Sequence, residues 1–192
     1  MGAEKLLRTF LAVELPDQVK RTAHLLHTTV EARPKVVKWL KSSNIHLTLR
    51  FIGPTPEEEV PRIHQAVGGV ISGHRDFTLR IEGTGVFPKK QRPRVLWMGV
   101  RGDLDSLTAM VREMNRALES LGYPPEEREY SPHVTIGRIR YPQKVTPDVS
   151  DFLNSRYQSI VFDVQKVTFF QSDLVPGGPI YSVLGVHELT PS

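Results

Sequence analysis

The stretch Asn44-Ile45-His46-Leu47-Thr48-Leu49-Arg50-Phe51-Ile52-Gly53 alternates apolar and polar residues, which is the period of a β-strand. The glycine at its end is followed by a proline, and this pair predicts that the strand stops there. Residues two apart on a strand share a face. The alternation therefore predicts that His46, Thr48 and Arg50 point together to one side, while the leucines between them face a core.

A second stretch, Ser131-Pro132-His133-Val134-Thr135-Ile136-Gly137-Arg138, repeats this pattern in the later part of the chain. His133 and Thr135 are again two residues apart, with apolar residues on the opposite face. A lone histidine on a strand is more often structural than catalytic, and threonine favours strands for its β-branch alone. The same His-x-Thr spacing in matched positions of two similar halves indicates a functional pair of strands.

Composition places the chain among ordinary globular proteins. It has 192 residues, of which 39% are hydrophobic and 24% charged, enough for one domain or two small lobes. It contains no cysteine, which excludes disulfides, a thiolate nucleophile and thiolate metal sites. The net charge of +4 and pI near 9.4 favour an anionic partner only mildly, and a basic protein without a nucleic-acid partner is an equally good interpretation of charge alone.

The expected location follows from two absences in the sequence. No run of eighteen apolar residues is present, so we expect no membrane-spanning helix. A signal peptide has a charged segment, then an apolar segment, then small residues, and the first five residues do not follow this order. We therefore expect a cytoplasmic protein.

The remaining sequence predicts alternating strands and helices without a long linker. We expect strands at residues 6–15, 36–40, 77–87, 94–100, 160–170 and 180–189, and helices that begin near Pro16, Thr55, Gly102 and Pro147. Each half then runs helix, His-x-Thr strand, helix, long strand, strand. We interpret this order as an internal duplication of the α+β class, with two lobes at approximately residues 1–101 and 102–192 and possible strand exchange between them.

Two related lobes place His46 and His133 on opposite sides of one groove. Two imidazoles that titrate near neutrality suit a reaction in which one proton is taken and another given. The hydroxyls of Thr48 and Thr135 can donate hydrogen bonds to an oxyanion between them, and phosphate is the anion that this arrangement suits best. Arg138 has the opposite parity from His133, and reaches the anion only if the strand ends or bulges near residue 137. Nothing in this chemistry requires a metal.

With these two motifs the chain resembles the two-histidine (2H) phosphoesterase superfamily, whose members carry paired H-x-T-x motifs. Within it, the chain is similar to the RNA 2′,3′-cyclic phosphodiesterases, also called 2′-5′ RNA ligases. The resemblance extends over nearly the whole length, at residues 8–16, 44–53, 87, 93–97, 132–138 and 178–181.

The resemblance implies a bilobal fold in which two antiparallel sheets flank a central groove, with helices on the outside. It implies metal-independent hydrolysis of an RNA 2′,3′-cyclic phosphate end to a 2′-phosphomonoester. By the family pattern, His46 donates a proton to the departing 3′ oxygen and His133 accepts one from water. The two motifs are nearly symmetric, so this assignment of acid and base rests on the resemblance.

The resemblance also implies a set of substrate-binding residues. Thr48 and Thr135 hold phosphate oxygens, and Arg138 matches an arginine that approaches the phosphate. Phe10 matches an aromatic position near the groove where a base can stack. We expect no cofactor, an RNA with a 2′,3′-cyclic phosphate end as partner, and a monomer without an obligatory protein partner.

Three other functions stay open from the sequence. Ligation that forms a 2′-5′ bond is the reverse chemistry, with an RNA 5′-hydroxyl in place of water. An RNA-end binding module would use the histidines only to hold phosphate. A related 2H enzyme would act instead on a small cyclic nucleotide or an ADP-ribose product.

Overall fold

The structure, a computed structural model, describes residues 5–31, 36–141 and 146–192. The expectation that no signal peptide is present concerns residues that are mostly outside these ranges. The strands are β1 (Leu6–Glu14), β2 (Val37–Trp39), β3 (His46–Pro56), β4 (Phe77–Phe87), β5 (Val95–Gly102), β6 (His133–Ile139), β7 (Ile160–Val164), β8 (Lys166–Val175) and β9 (Gly178–Glu188). The α-helices are α1 (Asp17–Leu26), α2 (Val60–Ile71), α3 (Leu104–Ser120) and α4 (Ser150–Asn154), and short 3₁₀ turns precede β3 and α2.

The described strands form two antiparallel sheets. The four-stranded sheet has the order β3-β1-β8-β9, and the five-stranded sheet has the order β2-β6-β5-β4-β7. Every pairing within them is antiparallel. The predicted α+β class with two antiparallel sheets is confirmed. The two His-x-Thr stretches form β3 and β6, which belong to different sheets.

Each sheet takes strands from both halves of the chain. The predicted single strand at residues 160–170 is wrong, because it divides at Gln165: β7 pairs with β4 in one sheet, and β8 pairs with β1 and β9 in the other. Both pieces are apolar and strand-forming, so the local pattern does not reveal that the chain changes sheets. The division into lobes near residue 101 stays a prediction.

The helices form where apolar residues recur at helical spacing. On α3 five apolar residues of this stripe are buried, and Asp103 caps the first turn by accepting a hydrogen bond from the backbone N–H of Ser106 at 3.0 Å. Gly122, at φ 93°, lies just beyond the helix. In the described part of the chain, no helix has the length and apolar character needed to cross a membrane.

The predicted helix start at Thr55 is wrong. β3 continues to Pro56, and Thr55 is fully buried, with its hydroxyl 2.8 Å from that of Thr9. A 3₁₀ turn follows, and α2 begins only at Val60. The pairing of β1 with β3 extends as far as Leu6 opposite Pro56, and this tertiary contact overrides the local capping signal.

Candidate active site

The candidate site is a groove of about 440 Å³ at which β3 and β6 face each other. From the four-stranded sheet it is lined by His46, Thr48, Phe51 and Tyr181, and from the five-stranded sheet by His133, Thr135 and Arg138. The structure thus brings together the two histidines, the two threonines and the arginine that the sequence singled out.

His46 is surrounded by aromatic rings. Its imidazole stacks on Phe10 with ring centroids 5.0 Å apart, and forms a T-shaped pair with Tyr181 at a centroid distance of 5.4 Å. This burial lowers the pKa of His46 from its usual 6.5 to about 4, while a hydrogen bond to the backbone of Asn44 acts in the opposite direction. In the unliganded protein His46 is therefore neutral at pH 7.

His133 has a matching environment in the other sheet. Its Nδ1 lies 2.7 Å from the carbonyl oxygen of Ser131, and its ring is perpendicular to that of Phe87 at a centroid distance of 4.9 Å. Burial lowers the pKa of His133, and the positive charge of Arg138 lowers it further, against the opposing effect of the Ser131 carbonyl.

The two histidines are held in the same way. Each bonds to the backbone of the residue two positions before it, Asn44 for His46 and Ser131 for His133. When Nδ1 of His133 donates to that carbonyl, Nε2 keeps a lone pair that can accept a proton. The geometry is close to symmetric, so it supports two proton-transfer groups without distinguishing acid from base.

A bulge in β6 turns Arg138 to the groove. Thr135 lies opposite Trp97, and Gly137 lies opposite Leu96, so Ile136 is an extra residue in the ladder. After it the alternation shifts by one residue. Arg138 consequently lies on the same face as Thr135. The sequence predicts that Arg138 can reach an anion only if the strand ends or bulges near residue 137, and the strand has this bulge.

A bulge in β3 has the opposite effect on Arg50, and the prediction that Arg50 shares the face of His46 and Thr48 is wrong. Thr48 lies opposite Ala12 but Arg50 lies opposite the core residue Leu11. Arg50 borders the groove but is only 5% exposed, and it donates hydrogen bonds to the backbone carbonyls of Tyr123 and Pro124.

Phe51 takes the groove face that the alternation predicts for Arg50. It pairs with Phe10, is 53% exposed and lines the groove. An alternation that continues past Leu49 places Phe51 in the core, so sequence reasoning missed it.

Phe10 lies beneath the groove and does not line it. Its ring is 2% exposed and contacts the rings of both His46 and Phe170, at centroid distances of 5.0 and 5.2 Å. A base that stacked on Phe10 would have to displace one of these rings. Phe10 therefore has an alternative to the predicted role in base stacking, which is to support the ring of His46.

Two polar residues that sequence reasoning missed support the site. Asn44 donates from its side-chain amide to the carbonyl of Pro179 at 2.9 Å, which ties the β8–β9 turn to the start of β3. Tyr130 donates from its hydroxyl to the carbonyl of Thr48 at 3.1 Å, which joins the approach to β6 with β3. The sequence offers only one signal for them, which is their position close to the motifs. Asn44 lies two residues before His46, and Tyr130 lies three residues before His133.

The family comparison covers most of the chain. Residues 13–97 and 101–181 match the LigT-like phosphoesterase family, and each matched segment contains one of the two His-x-Thr strands. The chain belongs to the LigT-like phosphoesterases.

Its relatives carry a more specific name. A protein of Methanothermobacter thermautotrophicus named RNA 2′,3′-cyclic phosphodiesterase is 31% identical over 95% of this chain and 99% of its own length. A Thermotoga maritima protein of the same name is 32% identical over 93% of each chain.

Solved structures agree with the fold. A crystal structure from Thermus thermophilus has a TM-score of 0.80 at 27% identity and covers 97% of this chain and 100% of its own. Escherichia coli LigT complexed with 3′-AMP has a TM-score of 0.75 at 22% identity, covers 97% and 99%, and shows likeness of fold alone.

Proposed function

We propose that this protein hydrolyses RNA 2′,3′-cyclic phosphate ends to 2′-phosphomonoesters by a two-histidine acid–base mechanism that needs no metal. The observation that carries the proposal is the matched pair, His46 and His133, facing one groove from two different sheets. The name of the relatives, RNA 2′,3′-cyclic phosphodiesterase, supports the choice of substrate.

In the proposed reaction, Nε2 of His133 accepts a proton from water as the water oxygen attacks phosphorus. The bond between phosphorus and the 3′ oxygen breaks, and His46 donates its proton to that oxygen. The products are a free 3′-hydroxyl and a 2′-phosphate, and the two histidines have exchanged protonation states. Proton transfer by positioned groups of this kind contributes roughly 10²–10⁴-fold to rate.

Hydrogen-bond donors around the phosphate complete the proposed mechanism. Thr48 and Thr135 lie one pleat from the two histidines, and their hydroxyls donate to the non-bridging oxygens. Arg138 supplies a positive charge for the negative charge that develops on these oxygens.

His46 acts as an acid only if it is protonated, and its pKa of about 4 in the free protein opposes this. A cyclic phosphate in the groove carries a negative charge, and an opposite charge within about 4–6 Å favours the imidazolium. We therefore propose that His46 gains its proton together with the substrate. Both histidines come from one chain, so we expect a monomer to be active.

The test is hydrolysis of an RNA oligonucleotide that ends in a 2′,3′-cyclic phosphate, assayed in EDTA with the product end identified. Wild type is compared with His46→Ala and His133→Ala. His24→Ala, an exposed position on α1 outside the groove, is the matched control.

We expect turnover to a 2′-phosphate in wild type and control, and at least a hundredfold loss in both groove variants. A 3′-phosphate product would overturn the choice of leaving oxygen. Activity lost in EDTA and restored by a divalent metal would overturn metal independence. RNA that is bound but never turned over would favour a binding module. Formation of a 2′-5′ bond on adding RNA with a 5′-hydroxyl would reveal the ligation reaction.

A further inference from the structure

Two lysines border the groove without a part in the proposed chemistry. Lys38 lies on β2, the edge strand of the five-stranded sheet, and Lys41 directly precedes the 3₁₀ turn that leads into β3. Both line the groove, and both are exposed. Two positive charges from different parts of the fold therefore lie on one side of the site.

The β8–β9 turn lies against these two lysines and leaves them uncovered. A β-carbon built on Gly177 would be 3.7 Å from Nζ of Lys41, and one built on Gly178 would be 4.0 Å from Nζ of Lys38. The turn is held in place by the 2.9 Å hydrogen bond from Asn44 to the carbonyl of Pro179. Both ammonium groups therefore lie near the two glycines of this turn, where a ligand can approach them.

The charges here are unbalanced. Lys38 lies directly opposite Arg138 in the β2–β6 pair, and like charges opposite one another on a sheet are unfavourable. Neither lysine belongs to an ion pair formed within the described residues. Glu126 is the sole acidic side chain among the described residues that line the groove. An anion bound beside Arg138 would relieve this repulsion.

We propose that Lys38 and Lys41 bind the RNA backbone phosphate on the 5′ side of the terminal nucleotide, one linkage before the cyclic phosphate. Lys38 extends the positive charge by one strand spacing, about 4.8 Å, beyond the position of Arg138. This subsite makes an oligonucleotide end a better substrate than a mononucleotide. The inference rests on the proposed hydrolysis of RNA ends and specifies its substrate.

The test uses two dinucleotides that end in a 2′,3′-cyclic phosphate. One has an ordinary phosphodiester between its nucleosides, and the other a neutral methylphosphonate. The variant Lys38→Gln/Lys41→Gln is compared with Lys5→Gln/Lys20→Gln, which removes the same two charges from positions outside the groove. The value of kcat/KM is measured for each pair at two salt concentrations.

We expect wild type and control to prefer the charged linkage by about 1.5-fold to fivefold for each of the two lysines, the range for exposed charge pairs, with the preference weaker in high salt. The groove variant should treat both dinucleotides alike and retain wild-type kcat/KM on the methylphosphonate. An equal preference in wild type and groove variant would overturn the subsite. A uniform loss on both dinucleotides would show that the lysines act on the fold or the chemistry. Absence of turnover on either dinucleotide by wild type would contradict the proposed hydrolysis itself.

Discussion

At the scale of the residue, burial of His46 has the largest chemical consequence. The ring stacks on Phe10 and forms a T-shaped pair with Tyr181, and burial among these rings lowers the pKa of His46 to about 4. Removal of water disfavours the imidazolium but strengthens its attraction to any anion that enters the groove. The same burial thus couples the protonation of His46 to the presence of phosphate.

We predict that inorganic phosphate raises the pKa of His46. NMR titration of the imidazole should give a midpoint near 4 in the free protein, and a midpoint higher by at least about one pH unit with saturating phosphate. Potassium chloride at equal ionic strength should not reproduce the shift. An unchanged midpoint with phosphate bound would contradict the proposed acid role of His46.

A second prediction concerns Arg138. The change Arg138→Gln should lower kcat/KM on cyclic phosphate ends by about tenfold to a hundredfold, the range for hydrogen bonds to charged groups. It should also raise the pKa of His133, because the charge of Arg138 disfavours the imidazolium there. Kinetics and NMR titration measure the two effects.

The control for this change is Arg101→Gln, an exposed arginine on β5 of the same sheet that does not line the groove. It should leave kcat/KM and the pKa of His133 as in wild type. A loss of activity in Arg138→Gln without any rise in that pKa would argue against Arg138 facing His133 across the bulge.

At the scale of the element, two bulges decide which arginine shares the strand face of its His-x-Thr pair. Simple alternation predicts that Arg50 shares the face of His46 and Thr48, and that Arg138 lies on the face opposite to His133. One extra residue in β3 and one in β6 reverse both predictions. A bulge exchanges the faces of every residue that follows it, so it changes the chemistry of a strand without changing its composition.

We predict that Gly137→Ala destabilises the β2–β6 pair. A β-carbon on Gly137 would lie 2.7 Å from Cε3 of Trp39, closer than the ring can tolerate without moving. The expected loss in the free energy of unfolding is about 1–3 kcal/mol, the range for overpacking. Urea denaturation measures it.

Gly69→Ala is the matched control, because a β-carbon there meets nothing within 4 Å and the residue lies inside α2. Alanine should stabilise that helix by about 0.5–1 kcal/mol. If Gly137→Ala were equally well tolerated, Trp39 would not be packed on β6 as described.

At the scale of the whole molecule, the site exists only because the chain crosses between sheets. The C-terminal strands β8 and β9 join the sheet of β1 and β3, whereas β4 and β5 join the sheet of β6. Each histidine therefore stands on a sheet assembled from distant parts of the chain. We expect the groove to be lost as a unit when the protein unfolds.

The whole molecule should also lose stability in mild acid. Burial lowers the pKa of three histidines, His27, His46 and His187, to about 4 in the folded protein, from 6.5 in the unfolded chain. Between these values the unfolded chain binds more protons, so the free energy of unfolding falls as pH falls from 6.5 toward 4.

With allowance for partial exposure of these rings, we predict a loss of about 1–3 kcal/mol between pH 7 and pH 5, measured by urea denaturation. The change His187→Gln should flatten this dependence. His187 contributes through a ring whose Nε2 is buried without a partner among the described residues and which faces His64 at 4.4 Å. Stability that stayed constant over this range would contradict the description of these histidines as buried and neutral.

Local periodicity in the sequence determined a large part of this protein. Spacing of two residues identified both His-x-Thr strands, and helical spacing identified α3. These signals were sufficient because each depends only on which face of one element is apolar, and the spacing of neighbouring apolar residues determines that face.

Only the tertiary structure decided how these elements combine. The pairing with β1 keeps Thr55 in a strand, and the division at Gln165 places β8 in the other sheet. The two bulges place Arg138, and not Arg50, on the strand face of its His-x-Thr pair. Approach of Lys38 and Lys41 to the β8–β9 turn joins residues more than a hundred positions apart. Each of these outcomes depends on strand pairing between distant segments, and the alternation of a single strand contains no information about its partner.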